Sequence, residues 1–403
     1  MTHVSSLAPR QGAADATVWL PAAIAVAAIA GYLHQAVQAR QALLFAIGLG
    51  LGLVLLHAAF GFSGGWRALI REGRGRAVRG QLLLLALSSL LFFPVLAGLL
   101  PGTLPHGAYA PAGVSVLVGA FLFGVGMQLG GGCGSGTLFT VGGGHVRMLI
   151  TLAFFIVGAV LGTIHLPWWL SLPNLGKVSL IARWGWLPAM LAQLLVLALL
   201  YLGVRRWERR RRGNTEPLFE RLGRPWRRTL TAGPWPLWWG AVGLALLGLA
   251  TLLVAGYPWS ITFAFGLWGT KLWAGLGGDI SGWEYWAHGY PALALQRSVL
   301  LDGVSVMDFG VILGALLAAG MAGSFAPPTQ LQRRDVLSAV AGGLLLGYGA
   351  RLAFGCNIGG LLAGIASGSL HGWLWLLAGF PGAMVGVALR ARFGMDAPRE
   401  DKA

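Results

Sequence analysis

The 403-residue chain contains two cysteines, Cys133 and Cys356, each inside a glycine-rich stretch: GGGCGSGTLFTVGGG over residues 130–144 and GCNIGGLLAGIASG over residues 355–368. Neither has the CxxC or Cys/His spacing of a zinc, haem or dithiol redox site. What remains is the thiol itself, a weak hydrogen-bond donor and a soft, polarizable contact suited to a sulfur-rich ligand. A thiolate would repel an anion, and apolar surroundings oppose ionisation, which points to neutral thiols. Glycine lets backbone approach a ligand closely. The N–H groups around Gly134, Gly136, Asn357 and Gly359 are therefore candidate anion donors, of the kind a helix N-terminus presents. Arg351 stands five residues before Cys356 in an apolar run; it either faces the path and draws an anion or snorkels to the outer interface. HExxH and phosphate-loop motifs are missing from the sequence. No metal or cofactor is expected, and ATP-driven transport by this chain alone is unsupported.

The two cysteines occupy equivalent places in an internal repeat. Sliding the chain by 223 residues lays GAFLFGVGMQLGGGCGSGTL on GGLLLGYGARLAFGCNIGGL, with nine of 20 positions identical, the cysteines among them. Gln128 becomes the partner of Arg351, and with one insertion Gly158, Ala159 and Gly162 fall on Gly382, Ala383 and Gly386. A weaker echo sets Phe60-Gly61-Phe62-Ser63 against Phe263-Ala264-Phe265-Gly266. Gly119, Gly126, Gly158 and Gly162 have the spacing of tight helix crossings. The clusters around the cysteines do not.

Such loops need a scaffold, and composition names its solvent. The chain is 56% hydrophobic and 10% charged, against about 25% charged in soluble domains. About ten stretches are long and apolar enough to span a bilayer: residues 17–33, 42–60, 81–100, 112–129, 148–166, 185–204, 236–256, 304–325, 336–353 and 372–389. Arg10 and Asp15 make a poor signal-peptide lead, so the first stretch reads as an anchor, with cleavage after Ala30 as the alternative. The net charge of +16 is gathered in some loops only. Five arginines lie in 67–80 and ten in 205–228, whereas 277–308 carries Asp279, Glu284, Asp302 and Asp308 against Arg297. With the arginine-rich loops cytoplasmic, ten spans fit and both termini lie inside. Basic loops without a folded module or interleaved aromatics argue for orientation and anionic lipid rather than nucleic acid. The cysteine segments follow the fourth and ninth spans, so an odd number of crossings inverts one half relative to the other. Stretches too short to cross must then be re-entrant, buried in protein or lining a wet cavity; the residues after Gly61 and Tyr257 suit short re-entrant helices too.

The motifs GVGMQLGGGCGSGTL and GYGARLAFGCNIGG resemble those of the YeeE/YedE family of bacterial inner-membrane sulfur transport proteins, and the likeness extends from about Ala42 to Leu389. The resemblance implies an all-α polytopic membrane protein of pseudo-two-fold, hourglass form, whose cysteine loops meet near the membrane middle. It implies passage of thiosulfate between thiols by hydrogen bonding, and a TusA-like cytoplasmic sulfur carrier as partner. Thiosulfate transporters of this family carry a further cysteine on the first-half loop; the matching GFSGGWR has Ser63 here. A hydroxyl still donates a hydrogen bond but is a harder contact, which leaves other sulfur or selenium oxyanions open.

The expected organisation is a first inverted half over residues 1–204, a cytoplasmic arginine-rich connector over 205–235, a second half over 236–392 and a cytoplasmic tail over 393–403. The expected function is an inner-membrane permease, not an enzyme, with Cys133, Cys356, Ser63, Gly134, Gly136, Asn357, Gly359 and Arg351 on the substrate path. Its rivals are a membrane thiol oxidoreductase cycling Cys133 and Cys356, and a scaffold that only recruits a cytoplasmic sulfur carrier.

Overall fold

The computed structural model describes residues 13–102, 105–220, 225–325, 331–393 and 395. The expected tail, apart from Phe393 and Met395, lies outside them, as do Arg10, Arg221 and Arg224. The helices, in chain order, are α1 (Ala16–Tyr32), α2 (Ala39–His57), α3 (Phe62–Glu72), α4 (Arg76–Leu96), α5 (Val114–Gly130), α6 (Gly134–Gly142), α7 (Val146–Ser171), α8 (Leu180–Trp184) and α9 (Trp186–Arg212). They continue with α10 (Trp226–Ala232), α11 (Leu237–Ala255), α12 (Thr262–Gly275), α13 (Gly289–Gln296), α14 (Gly303–Met321), α15 (Arg333–Leu352), α16 (Ala363–Ala366) and α17 (Leu370–Arg392). A π-helical turn, Asn357–Leu362, leads into α16. One small two-stranded pair among the described residues, β1 (Pro111–Gly113) and β2 (Asn174–Lys177), runs antiparallel. Ten helical segments of the described residues are long and apolar enough to cross a membrane, and each coincides with one of the expected stretches.

The repeat is written into the helix order: α2 to α7 run long, short, long, long, short, long, and α11, α12, α14, α15, the 357–366 segment and α17 repeat it. Packing obeys the same exchange. The α2–α14 contact is matched by α11–α4, α7–α15 by α17–α5, and α3–α17 by α12–α7. Equivalent helices meet antiparallel: Gly119 faces Gly349 to Ala353, whereas Gly126 and Gly130 face Gly342 to Leu346. A helix running against its own repeat copy is the inverted arrangement expected from the parity of crossings.

Glycines make these crossings close. Gly158 lies on the Leu344 backbone and Gly382 on that of Phe121; Gly347 lies on Phe155 and Ala159, and Gly124 on Gly379 and Ala383. Each pair is the repeat image of the other. Helices in hydrocarbon gain nothing by hiding apolar surface from lipid, so close van der Waals contact must hold them together. The weaker echo falls at the starts of α3 and α12, which begin at Phe62 and Thr262.

The arginine-rich connector is largely helical, since α9 runs through Arg212 and ends at Gly213 in a left-handed turn, φ 77°. Its acids reach back to the first-half arginines: Arg74 to Glu216 at 2.9 Å, Arg76 to Glu220 at 2.7 Å and Arg79 to Glu208 at 2.7 Å. Part of the basic excess assigned to orientation and lipid is therefore consumed in ion pairs. A second correction concerns Asp308, counted among the outer-loop acids: it sits inside α14, fully buried.

Candidate functional site

Helices α5 and α15 stop at equivalent turns. Gly131 has φ 91° and its repeat equivalent, Phe354, has φ 57°, so the second copy keeps a left-handed turn that a phenylalanine adopts only under strain. The turn brings Cys133 to the N-cap of α6, where its sulfur accepts the Gly136 N–H at 3.4 Å. Cys356 caps the 357–362 turn in the same way: its sulfur accepts the Ile358 N–H at 3.4 Å and faces the Gly359 amide. Each sulfur thus meets one of the donors a helix start leaves orphaned, while its S–H remains available to a second partner. Both cysteines are free and fully buried, and they share one apolar cluster with Trp259, Ile261 and Ile358.

Gly134 is where the two loops touch. A β-carbon there would stand 2.8 Å from the Cys356 sulfur and 3.7 Å from Ile261 Cγ2. Its repeat equivalent carries a side chain, Asn357, which is completely buried and whose Oδ1 and Nδ2 have no hydrogen-bond partner among the described residues. An amide so placed costs about 1–3 kcal/mol until something polar meets it. The expected backbone donors at Gly136 and Gly359 are accordingly turned to the cysteine sulfurs. Two hydroxyls not anticipated from sequence join them: Ser135 Oγ lies 3.5 Å from Cys133 Sγ, and Ser260 Oγ stands 3.2 Å from where a Gly359 β-carbon would be.

Ser63 and Arg351 are placed differently from the cysteines. Ser63 is buried in the first turn of α3, its carbonyl accepting Gln128 Nε2 at 3.1 Å; no hydrogen bond joins it to either cysteine among the described residues. Arg351 donates to Tyr285 Oη at 2.8 Å and to Thr262 O at 3.2 Å, with its guanidinium 4.9 Å over the Tyr285 ring. Arg351 thereby ties α15 to the 284–286 turn and to the start of α12. Gln128 and Arg351, repeat partners, each hold the first turn of a short helix by a backbone carbonyl, α3 and α12 respectively. The signal was present in sequence as the Gln128/Arg351 match, but only the fold reveals the shared target.

Comparison with known proteins agrees with this architecture. A family model described as "Sulphur transport" matches residues 57–385. The thiosulfate transporter TsuA of Spirochaeta thermophila is 29% identical over 273 residues, covering 65% of this chain and 73% of that protein. TsuA of Escherichia coli K12 is 26% identical over 351 residues, covering 81% and 88%. The probable transporter YedE of Salmonella typhimurium is 33% identical over 133 residues, and the match spans about a third of its length (32%). The matched region takes in both cysteine turns and the helices from α3 into α17: the chain belongs to the sulphur-transport, YeeE/YedE, family of membrane proteins.

Proposed function

We propose that this chain is a permease that imports thiosulfate, or a small anion of closely related chemistry, past the Cys133/Cys356 pair. The observation that carries this reading is the convergence at Gly134: two repeat-related thiols, each capping a short helix, meet beside a buried amide with no partner. A sulfur-terminated anion suits that set. Its soft sulfur accepts S–H donation and tolerates apolar neighbours, while its oxygens satisfy Asn357 Nδ2 and the Ser135 and Ser260 hydroxyls. Neutral thiols serve without covalent chemistry, because hydrogen bonds hold a passing anion and release it. Ser63, in place of a cysteine on the first-half loop, offers a harder hydroxyl on the approach. In this reading the protein lies in the bacterial inner membrane with both termini cytoplasmic, where the paired arginine-rich loops face a TusA-like sulfur carrier.

The test is uptake of labelled thiosulfate into proteoliposomes. Cys133→Ala and Cys356→Ala are each expected to lower the initial rate at least tenfold, the cost of about 1.4 kcal/mol per lost interaction, with unchanged elution in detergent. Full uptake by both variants would remove the thiols from the path. No uptake by the unaltered protein, with a redox-dependent mobility shift, would favour an oxidoreductase.

A further inference from the structure

We propose that Asp308 is a proton-binding site through which anion uptake is coupled to inward proton movement; this rests on the permease reading above. Asp308 stands in the second turn of α14, between Met307 and Phe309. It is fully buried, and neither carboxylate oxygen has a hydrogen-bond partner among the described residues. Its neighbour Asp302 is a structural acid by contrast: it caps α14, accepting the Ser305 N–H at 2.9 Å and hydroxyl at 2.6 Å, and receives Tyr290 Oη at 2.7 Å. An ionisable residue inside a span with no structural partner is expensive and marks a working group.

The surroundings favour a proton over a metal ion. Hard cations need several oxygen ligands, and the described residues contain no cluster of three or more histidines, cysteines or acids able to hold one. The groups coupled electrostatically to Asp308 are Asp302 on its own helix, Tyr257 in the link between α11 and α12, and Cys356. Of the helices packed on α14, α1 and α6 carry no charged side chain. On α2, Arg40 is bound to Val254 O and Ala255 O, and His57 stands at the far end, stacked on Trp235. On α12 Lys271 is bound to Leu295 O and Arg297 O; α10 carries Arg227, which lies over Trp226, and Arg228.

Asp308 adjoins Met307, which lies in the apolar cluster that holds both cysteines, and α14 packs on α6, the helix that Cys133 caps; this nearness supplies the coupling. Charged, Asp308 repels an anion at the cysteine pair; protonated, it does not. Proton and anion therefore each favour binding of the other, as linkage requires. The device answers a need, since every negative charge carried inward works against an inside-negative potential.

The experiment uses proteoliposomes with labelled thiosulfate outside and an internal pH dye. In the unaltered protein an acid-outside gradient is expected to raise thiosulfate accumulation about tenfold per pH unit for one proton, and thiosulfate addition is expected to acidify the lumen. Asp308→Asn should keep thiosulfate counterflow within about twofold and lose both the gradient response and the acidification, while Asp308→Glu retains them. An Asp308→Asn protein that still responds to the gradient overturns the proposal. So does an unaltered protein that shows net thiosulfate uptake without any proton signal, whatever the variant's folding. Absence of counterflow in the unaltered protein would instead sink the permease reading itself.

Discussion

At the scale of single residues, the site depends on one hydrogen atom. Gly134 has no side chain, and the Cys356 sulfur occupies the space where a methyl would begin, at 2.8 Å. Gly134→Ala must push the two cysteine loops apart by several tenths of an ångström. Overpacking of this kind costs about 1–3 kcal/mol. The expected result is loss of thiosulfate uptake comparable to that of the cysteine variants. Gly203→Ala serves as the control: nothing lies within 4 Å of its added carbon, and alanine in a helix is favoured by up to about 1 kcal/mol. Parallel uptake and thermal-melting measurements check both. Asn357 illustrates the opposite choice at the same repeat position, a buried amide with no hydrogen-bond partner among the described residues.

At the scale of elements, the fold is a set of close helix crossings whose glycines come in repeat-related pairs. Gly347 against Phe155 and Ala159, and Gly124 against Gly379 and Ala383, are one such pair. Because backbone faces backbone, no flexible side chain can yield. Gly347→Leu is expected to destabilise the protein by about 3 kcal/mol, read as a lowered melting temperature in detergent, and Gly124→Leu by a similar amount because its surroundings are the repeat image. A large asymmetry between the two would mean that the halves do not share the load. The short helices are held by a different device: Gln128 and Arg351 fasten α3 and α12 from equivalent positions, with an amide in one half and a guanidinium in the other.

At the scale of the whole molecule, the segment between the halves clamps the first half. Arg79 and Glu208 are 3% and 0% exposed and 2.7 Å apart. Arg79 also donates to Glu216 O at 2.6 Å and lies over Tyr201. Removing one partner strands a buried charge. Arg79→Ala is expected to cost about 3–5 kcal/mol, whereas Arg79→Leu with Glu208→Leu should recover much of the loss, since an apolar pair avoids the desolvation cost. Melting curves of the two variants decide this; equal destabilisation would show that the Glu216 carbonyl bond, not the ion pair, matters most.

Much of this was legible in the sequence. Apolar runs of bilayer length revealed the spans because hydrocarbon forces backbone hydrogen bonds to close within each helix. The coincidence of two cysteines in a 223-residue repeat marked the turns that cap α6 and the 357–362 segment, and the parity of crossings implied inversion. What the sequence could not reveal depended on which side chains meet across the fold. Arg351 read as a charge that faces the path or snorkels outward, and its bonds to Tyr285 and Thr262, 66 and 89 positions away, are not announced by any spacing. Asp308 was counted with the outer-loop acids although it falls within the expected 304–325 span, and α14, from Gly303, holds it buried in its second turn. Local pattern determined the helices, their order and their inversion, since those follow from solvent and chain parity. Only tertiary packing decided which polar groups would be paired and which, like those of Asn357 and Asp308, have no hydrogen-bond partner among the described residues, because partnership is a property of space rather than of sequence distance.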